Sequence, residues 1–356
     1  MTQPLTKAVL LTGAAARISQ EVAILDQLMN RKEPPVNGLP LTLSQDDTLL
    51  AGFSSGSLNL AAINACFSTG SSLGWDTYYK QTVLFPLRNK KVFKIDLSLS
   101  ENMNHAFMEV FKTKLLPLDT SPLRETITEF VKRMHCEKVG DLPFYSYIPT
   151  FSLDKLDTYW ACNQPDDQFY LDLIDTFMAS TAIPFVFPSQ EISSKDESKR
   201  NFPGGMFADG GTEGTFFNFE NYLGKFIEQN GKLETMFVIS PMREKAVKEI
   251  ETVMAVLKKE NRLSLDFNRL EQRIKNISMN GFLKFLNKLN DWNKTDPAKV
   301  NEIFVCIPVM PKNFCIMNFN DQKRQYAAVI KWFNEHPDQL AIPLQKFIDD
   351  HPVEMD

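Results

Sequence analysis

The stretch Leu49-Leu50-Ala51-Gly52-Phe53-Ser54-Ser55-Gly56-Ser57-Leu58-Asn59-Leu60-Ala61-Ala62-Ile63-Asn64-Ala65 constrains this chain more than any other. A short apolar run enters Gly-x-Ser-x-Gly, and an apolar segment of small residues leaves it. That order predicts strand, sharp turn, helix. Gly52 and Gly56 flank Ser54 because a side chain at either position would meet the neighbouring strand or helix in so tight a bend. The bend projects the Ser54 hydroxyl at the amino end of a helix, where free N–H groups and the helix dipole favour developing negative charge. The pattern predicts a nucleophilic serine. Gly70-Ser71-Ser72-Leu73-Gly74 has the same spacing, but no apolar strand precedes it and no small-residue helix follows, so it reads as a loop.

The rest of the chain is long enough to support such a site. Its 356 residues, 43% hydrophobic and 23% charged, have the balance of a globular protein with a sizeable core. No linker divides them, and we read residues 1–356 as a single domain with its motifs within 8–215 and a C-terminal part, 216–356, of helices and strands. The 28 phenylalanines suggest a Phe-rich core, with an acyl-chain pocket as the alternative. A net charge of −5 without a long basic run argues against nucleic acid as a partner. The five cysteines, Cys66, Cys136, Cys162, Cys306 and Cys315, are irregularly spaced and suggest neither a zinc site nor a disulfide framework. The N-terminus lacks the pattern of a cleavable signal peptide, and no apolar stretch approaches the ~18 residues that span a bilayer. The expectation is a soluble, cytoplasmic protein, with export by a specialised secretion system left open.

Periodicity supplies the elements around the serine. Ala8 to Leu11 predicts a buried strand ending in Thr12-Gly13, and Val22, Ile24, Leu25, Leu28 and Met29 a helix. Residues 31–40 read as a loop, 66–90 as irregular, and Lys91 to Ser98 as a strand. Met103 to Arg133 suggests helices interrupted by Pro117 and Pro122. Phe144 to Ala161 predicts a hairpin, Leu171 to Ser180 a helix, and Thr235 to Ser240 and Ile303 to Val309 buried strands. Met242 to Asn293 reads as a long helical region. Within it Phe282, Leu283, Phe285, Leu286, Leu289 and Trp292 alternate with lysines, the pattern of a helix on the core or, alternatively, on a membrane surface. Helices over Asp321 to Glu335 and Pro343 to Asp350 close the chain.

A serine nucleophile needs a base. The four histidines, His105, His135, His336 and His351, lie in contexts poor for a triad, and His336 is the best placed of them. The chain also holds one unusual carboxylate, Asp209, in Gly204-Gly205-Met206-Phe207-Ala208-Asp209-Gly210-Gly211. Glycines there allow close backbone approach around a single acid, and partial desolvation would raise its proton affinity into the range of a base. A surface Asp-Gly turn is the bland reading of the same residues. The third component is an oxyanion hole. Gly13-Ala14-Ala15-Ala16-Arg17 follows the first strand, and its N–H groups would face Ser54 if the first two strands are neighbours. Arg17 would brace this loop or attract a phosphate.

Together these stretches resemble the patatin-like phospholipase family. The family's glycine-rich oxyanion loop corresponds to Gly13-Ala14-Ala15-Ala16-Arg17-Ile18, and its elbow to Gly52 through Ala65. Its Ala-Ser-x-Ala-Ile-Pro-x-x-Phe-Pro segment corresponds to Ala179-Ser180-Thr181-Ala182-Ile183-Pro184-Phe185-Val186-Phe187-Pro188, and its Asp-Gly-Gly/Ala element to Asp209-Gly210-Gly211. Three features depart from the pattern. Ala14 and Ala15 stand where relatives have glycine, Ile18 replaces the glycine after the arginine, and no Asn-x-Pro follows Gly211.

The resemblance implies an α/β fold of three layers, α/β/α, around a mostly parallel sheet. It implies a catalytic dyad of Ser54 and Asp209, with oxyanion donors from Gly13, Ala14 and Ala15, the N–H of Ser55 as a further candidate, and Arg17 beside them. It implies phospholipase A or lysophospholipase activity through an acyl-enzyme, with no cofactor and no metal required. It implies a phospholipid or other acyl-lipid substrate, peripheral contact with a membrane surface, and an activating protein partner in some members. The alternatives are acyl transfer or thioester hydrolysis on the same scaffold, and lipid binding with weak or no catalysis.

Overall fold

The apolar runs read as strands are buried on both faces, which is why they lack the half-polar alternation of an exposed sheet. The computed structural model describes residues 6–31, 40–94, 117–163, 170–184, 186–193, 202–213, 219–241, 279–295, 299–309, 314 and 317–352. Nine strands form one sheet in the order β5-β6-β3-β2-β1-β7-β8-β9, with β4 paired to β3. They are β1 (Lys7–Leu11), β2 (Thr48–Gly52), β3 (Tyr145–Ser152), β4 (Asp157–Cys162), β5 (Gln190–Ile192), β6 (Gly205–Asp209), β7 (Leu233–Ile239), β8 (Val300–Cys306) and β9 (Ile342–Pro343). The centre, β3-β2-β1-β7-β8, is parallel, and the pairings of β4, β5, β6 and β9 are antiparallel.

Successive side chains of each central strand enter opposite cores. Val9 and Leu11 of β1, Leu50 of β2 and Phe237 and Ile239 of β7 face one core. Ala8, Leu10, Leu49, Ala51, Met236 and Val238 face the other. Helices α1 (Ile18–Asn30), α2 (Ser55–Phe67), α3 (Ser121–Met134), α4 (Leu173–Ser180) and α7 (Gln322–Glu335) cover the first face. Helices α5 (Phe219–Asn230), α6 (Met279–Asn293) and α8 (Leu344–Asp350) cover the second. The apolar stripe of α6 is therefore core. Phe282, Leu283, Phe285, Leu286 and Leu289 are all buried against the sheet, while Lys288 pairs with Glu220 at 2.5 Å. Among the described residues no helix is long and apolar enough to cross a membrane.

Several expectations change. Residues 66–90 are not all irregular, because Trp75–Leu84 winds as a π-helix, with Tyr79 N–H donating to Gly74 O and Phe85 N–H to Lys80 O. Its buried residues, Trp75, Tyr79, Lys80 and Leu84, follow this wider winding and so escape a search at the α-helical period. Asp26 of α1 anchors the segment by accepting from Trp75 Nε1 at 2.7 Å and Lys80 Nζ at 2.5 Å. Lys91 ends a 3-10 turn and is not in a strand, and residues 95–98 lie outside the described residues. Pro122 sits in the first turn of α3, where its missing N–H costs nothing, so it starts that helix instead of interrupting it. Residues 32–39, 103–116 and 242–278 lie outside the described residues, and with them most of the loop over 31–40, the helices before Pro117 and most of the helical region from Met242. Gly70 to Gly74 is the loop between α2 and the π-helix.

The sheet places the serine turn through one close approach. A Cβ on Gly56 would lie 2.4 Å from Leu11 O, a backbone atom that cannot swing aside. Gly70, by contrast, has open space around it and a φ of +79°. We therefore expect Gly56→Ala to destabilise the fold by about 2 kcal/mol or more, although alanine is the better helix former. Gly70→Ala, which meets only backbone strain, should cost about 1 kcal/mol. Urea unfolding of the two variants checks the order, and equal losses would mean that the elbow is not backbone-packed.

Candidate active site

Ser54 joins β2 to α2 with φ +51° and ψ −134°, a conformation rare outside glycine. Such strain persists only where the surroundings over-determine it. Gly52 and Gly56 make the turn possible, since a Cβ on Gly52 would stand 2.7 Å from Gly56 O. The Ser54 N–H donates to Ser180 O at 3.0 Å.

Asp209 ends β6, which pairs with the far half of β3 through Thr150↔Asp209. Its N–H donates to Ala182 O at 2.8 Å. The segment Ser180 to Ala182, at the C-terminal end of α4, thus holds both the Ser54 and the Asp209 backbones. This bridging role was not readable from the sequence, which marked the segment only by resemblance. Gly210 must lack a side chain, because its Cβ would come within 2.3 Å of Pro149 O. Gly211 N–H donates to Asp209 Oδ1 at 2.7 Å, while Oδ2 has no hydrogen-bond partner. Burial pushes the Asp209 carboxyl up to about 7, and the Gly211 N–H and the nearby Ser54 hydroxyl pull it back. Ser54 is thus close enough to act on the carboxyl without closing a regular hydrogen bond to Oδ2. An unsatisfied, partly basic oxygen beside a strained serine is suited to accept its proton.

The loop after β1 is arranged differently from expectation. Gly13, at φ +64°, lies against Phe53 O and Gly56 N, where any Cβ would clash. Its N–H does not face the substrate side, since it donates to Glu21 Oε1 of α1 at 2.6 Å. The Ala14 N–H is also engaged, donating to Ser55 Oγ at 3.0 Å. The N–H groups of Ala15 and Ser55 donate to no acceptor among the described residues. The expected donors therefore narrow to Ala15 and Ser55. Arg17 is buried and braces the loop, with Nε and Nη2 3.1 and 3.0 Å from Phe314 O and Nη1 3.2 Å from Pro241 O. Bound in this way, it is not placed to attract a phosphate.

Ala15, Ser54 and Ser55 line one narrow cleft, with a cavity volume of about 70 Å³. The walls are apolar, among them Leu58, Val83, Leu123, Ile127, Phe130 and Phe187. Phe144, Phe177 and Phe237 fill the core, while Phe130, Phe187 and Phe319 border the cleft.

The histidines stand apart. His135, His336 and His351 each end a helix, and none lines the cleft. His336 stacks on Trp332 with ring centroids 4.8 Å apart, as a helix cap would. His105 lies outside the described residues. Glu21, Asn59 and Tyr79, which the sequence did not single out, form a buried hydrogen-bonded chain behind the loop after β1. The one available signal was an acid inside the apolar stripe of α1. Among the described residues no three metal-ligating side chains converge. Compared with protein-family models and with curated proteins, the chain matches none.

The state of Asp209 has a consequence for stability. Its folded-state pKa is raised from 3.8 to about 7, so the folded protein keeps a proton that the unfolded chain releases above about pH 4. The associated stability is full below that pH and is lost as pH rises through about 7. Asp209→Asn cannot ionise and escapes this loss. Its stability relative to wild type should therefore rise between about pH 4 and 7, by at most about 1.4 kcal/mol per pH unit, and level off above. Urea midpoints at several pH values check this, and a constant difference would contradict the burial of the charge.

Proposed function

We propose that this chain is a lipid acyl hydrolase of the phospholipase A type, on a patatin-like three-layer fold, with Ser54 and Asp209 as its dyad. The observation that carries this reading is the strained Ser54 beside the buried, singly bonded Asp209, at an apolar cleft. Asp209 takes the Ser54 proton as Ser54 Oγ attacks the ester carbonyl. The N–H groups of Ala15 and Ser55, with the amino end of α2, stabilise the oxyanion. The proton passes to the departing alcohol as the carbon–oxygen bond breaks, leaving an acyl-enzyme. Water, deprotonated by Asp209, then attacks the acyl carbon, and the proton returns to Ser54 as the fatty acid leaves. The apolar walls of the cleft suit an acyl chain rather than a charged group.

A second reading, lipid binding with little catalysis, draws on the engaged N–H groups of Gly13 and Ala14. Fatty acid release from phosphatidylcholine vesicles separates the two. Ser54→Ala and Asp209→Asn should each lower release by about 1,000-fold or more. A fluorophosphonate should label wild type at Ser54 with a rate that rises through about pH 7, as Asp209 ionises. Undiminished release by either variant would remove the dyad, and absence of labelling would favour the binding reading.

A further inference from the structure

The loop facing Ser54 contains a second conformational strain. Ala15 has φ +48°, a region that an alanine enters only at a cost. Ala15 also carries one of the two disengaged N–H groups at the cleft. Something must hold it there.

A buried chain of hydrogen bonds reaches this loop from the cleft wall. Tyr79, which lines the cleft from the π-helix, donates its hydroxyl to Asn59 Oδ1 at 2.6 Å. Asn59 Nδ2 donates to Glu21 Oε2 at 2.7 Å and to Ile18 O at 3.1 Å. Glu21 Oε1 accepts the Gly13 N–H at 2.6 Å. Glu21 is fully buried and pairs with no cation among the described residues. Burial pushes its carboxyl up to about 8, and only the Asn59 and Gly13 hydrogen bonds act against that. A carboxyl kept in so unfavourable a place is costly for a role that an apolar side chain would fill if packing were all it did.

We infer that Glu21 is the positioning residue of this site: by holding the Gly13 N–H it keeps Ala15 in the strained conformation from which the Ala15 N–H serves the oxyanion. The inference rests on the hydrolase reading. It accounts for an alanine where a glycine would be unstrained. Other braces share the load, with Gln322 Nε2 and Gln325 Nε2 of α7 both donating to Ala16 O at 2.9 and 3.0 Å. Glu21 is the brace next to the turn itself.

The test compares wild type, Glu21→Gln, Glu21→Met and Glu21→Met/Ala15→Gly. The first readout, in ¹⁵N-glycine-labelled protein, is the Gly13 amide proton, which a short bond to a carboxyl shifts downfield. Above about pH 8, where the Glu21 carboxyl ionises, it should move far upfield in Glu21→Met and partway in Glu21→Gln, whose amide oxygen is a weaker acceptor than a carboxylate. The second is hydrolysis of a short-chain p-nitrophenyl ester. Glu21→Met should lose about 100-fold in kcat with KM changed less than about threefold, because the donor acts in the transition state. Glu21→Gln should stay within about fivefold of wild type. Ala15→Gly, which enters positive φ freely, should restore about tenfold to Glu21→Met.

An unmoved Gly13 signal, a loss confined to KM, or no rescue by Ala15→Gly in an active enzyme overturns the role of Glu21 and leaves the hydrolase reading intact. If Glu21→Met does not fold, Glu21→Gln decides alone, since an unmoved signal there is equally contrary. If wild type neither turns over the ester nor labels with fluorophosphonate, the hydrolase reading falls and the catalytic role of Glu21 falls with it.

Discussion

The site depends on the contact between the first turn of α2 and the end of β1. Gly56 meets Leu11 O and Gly13 N there, and Gly13 meets Phe53 O, with no side chain between the backbones. This approach holds α2 against β1 while β1 and β2 pair in parallel through Leu11↔Gly52. It brings the loop after β1 beside Ser54, and it leaves the serine no room for a relaxed φ. Any Cβ in the contact would separate Ser54 from its facing loop. The glycines are thus fixed by packing before chemistry makes any demand on them.

Two carboxyls are then buried around this contact, in different settings. Asp209 has one oxygen bonded and one bare, beside a serine whose proton it can take. Glu21 has both oxygens bonded, to a backbone N–H and to Asn59, and touches no reacting group. Burial raises both above the ordinary carboxylate range, Asp209 to about 7 and Glu21 to about 8. The two differ in bonding: the bare Asp209 oxygen lies open beside Ser54, whereas both Glu21 oxygens are taken up by the Gly13 N–H and Asn59. Burial of both opposes folding at neutral pH, since the unfolded chain releases their protons.

The strand–turn–helix around Ser54 was legible because a tight turn leaves marks in residue size, and the central strands were legible because burial on both faces leaves unbroken apolar runs. Asp209 was legible through its glycines, which exist for Pro149 O and for the carboxyl's own folded-back bond. The donor assignment was not legible. Which N–H of Gly13, Ala14 and Ala15 is free depends on acceptors from α1 and α2, and nothing in the loop's own residues reveals them. The π-helix escaped because its buried side chains follow another period, and Pro122 was misplaced because a proline marks helix starts as readily as helix breaks. Asn59 and Asn64 were noted only as part of a small-residue helix. In the fold Asn59 holds Glu21, while Asn64 ties α2 to β3 through Phe144 N–H at 2.9 Å and Ser146 Oγ at 3.1 Å.

The C-terminal part, which matched the resemblance least, turns out to support the loop. Gln322 and Gln325 reach Ala16 O, and Arg17 reaches Phe314 O. Strain at Ala15 and Ser54 would relax if only their chain neighbours restrained them, because local bonds give way together. Restraints from α1, α2, α7 and the C-terminal end of α4 do not share that freedom, since each belongs to a separately packed element. A strained turn held from several distant elements stays strained while any one of them fluctuates. This is why the α7 contacts, more than 300 residues along the chain, bear on the strained turns at Ala15 and Ser54. It also explains how alanine can hold a positive φ at position 15: the conformation is imposed by the surrounding elements and does not need to be intrinsic to the residue.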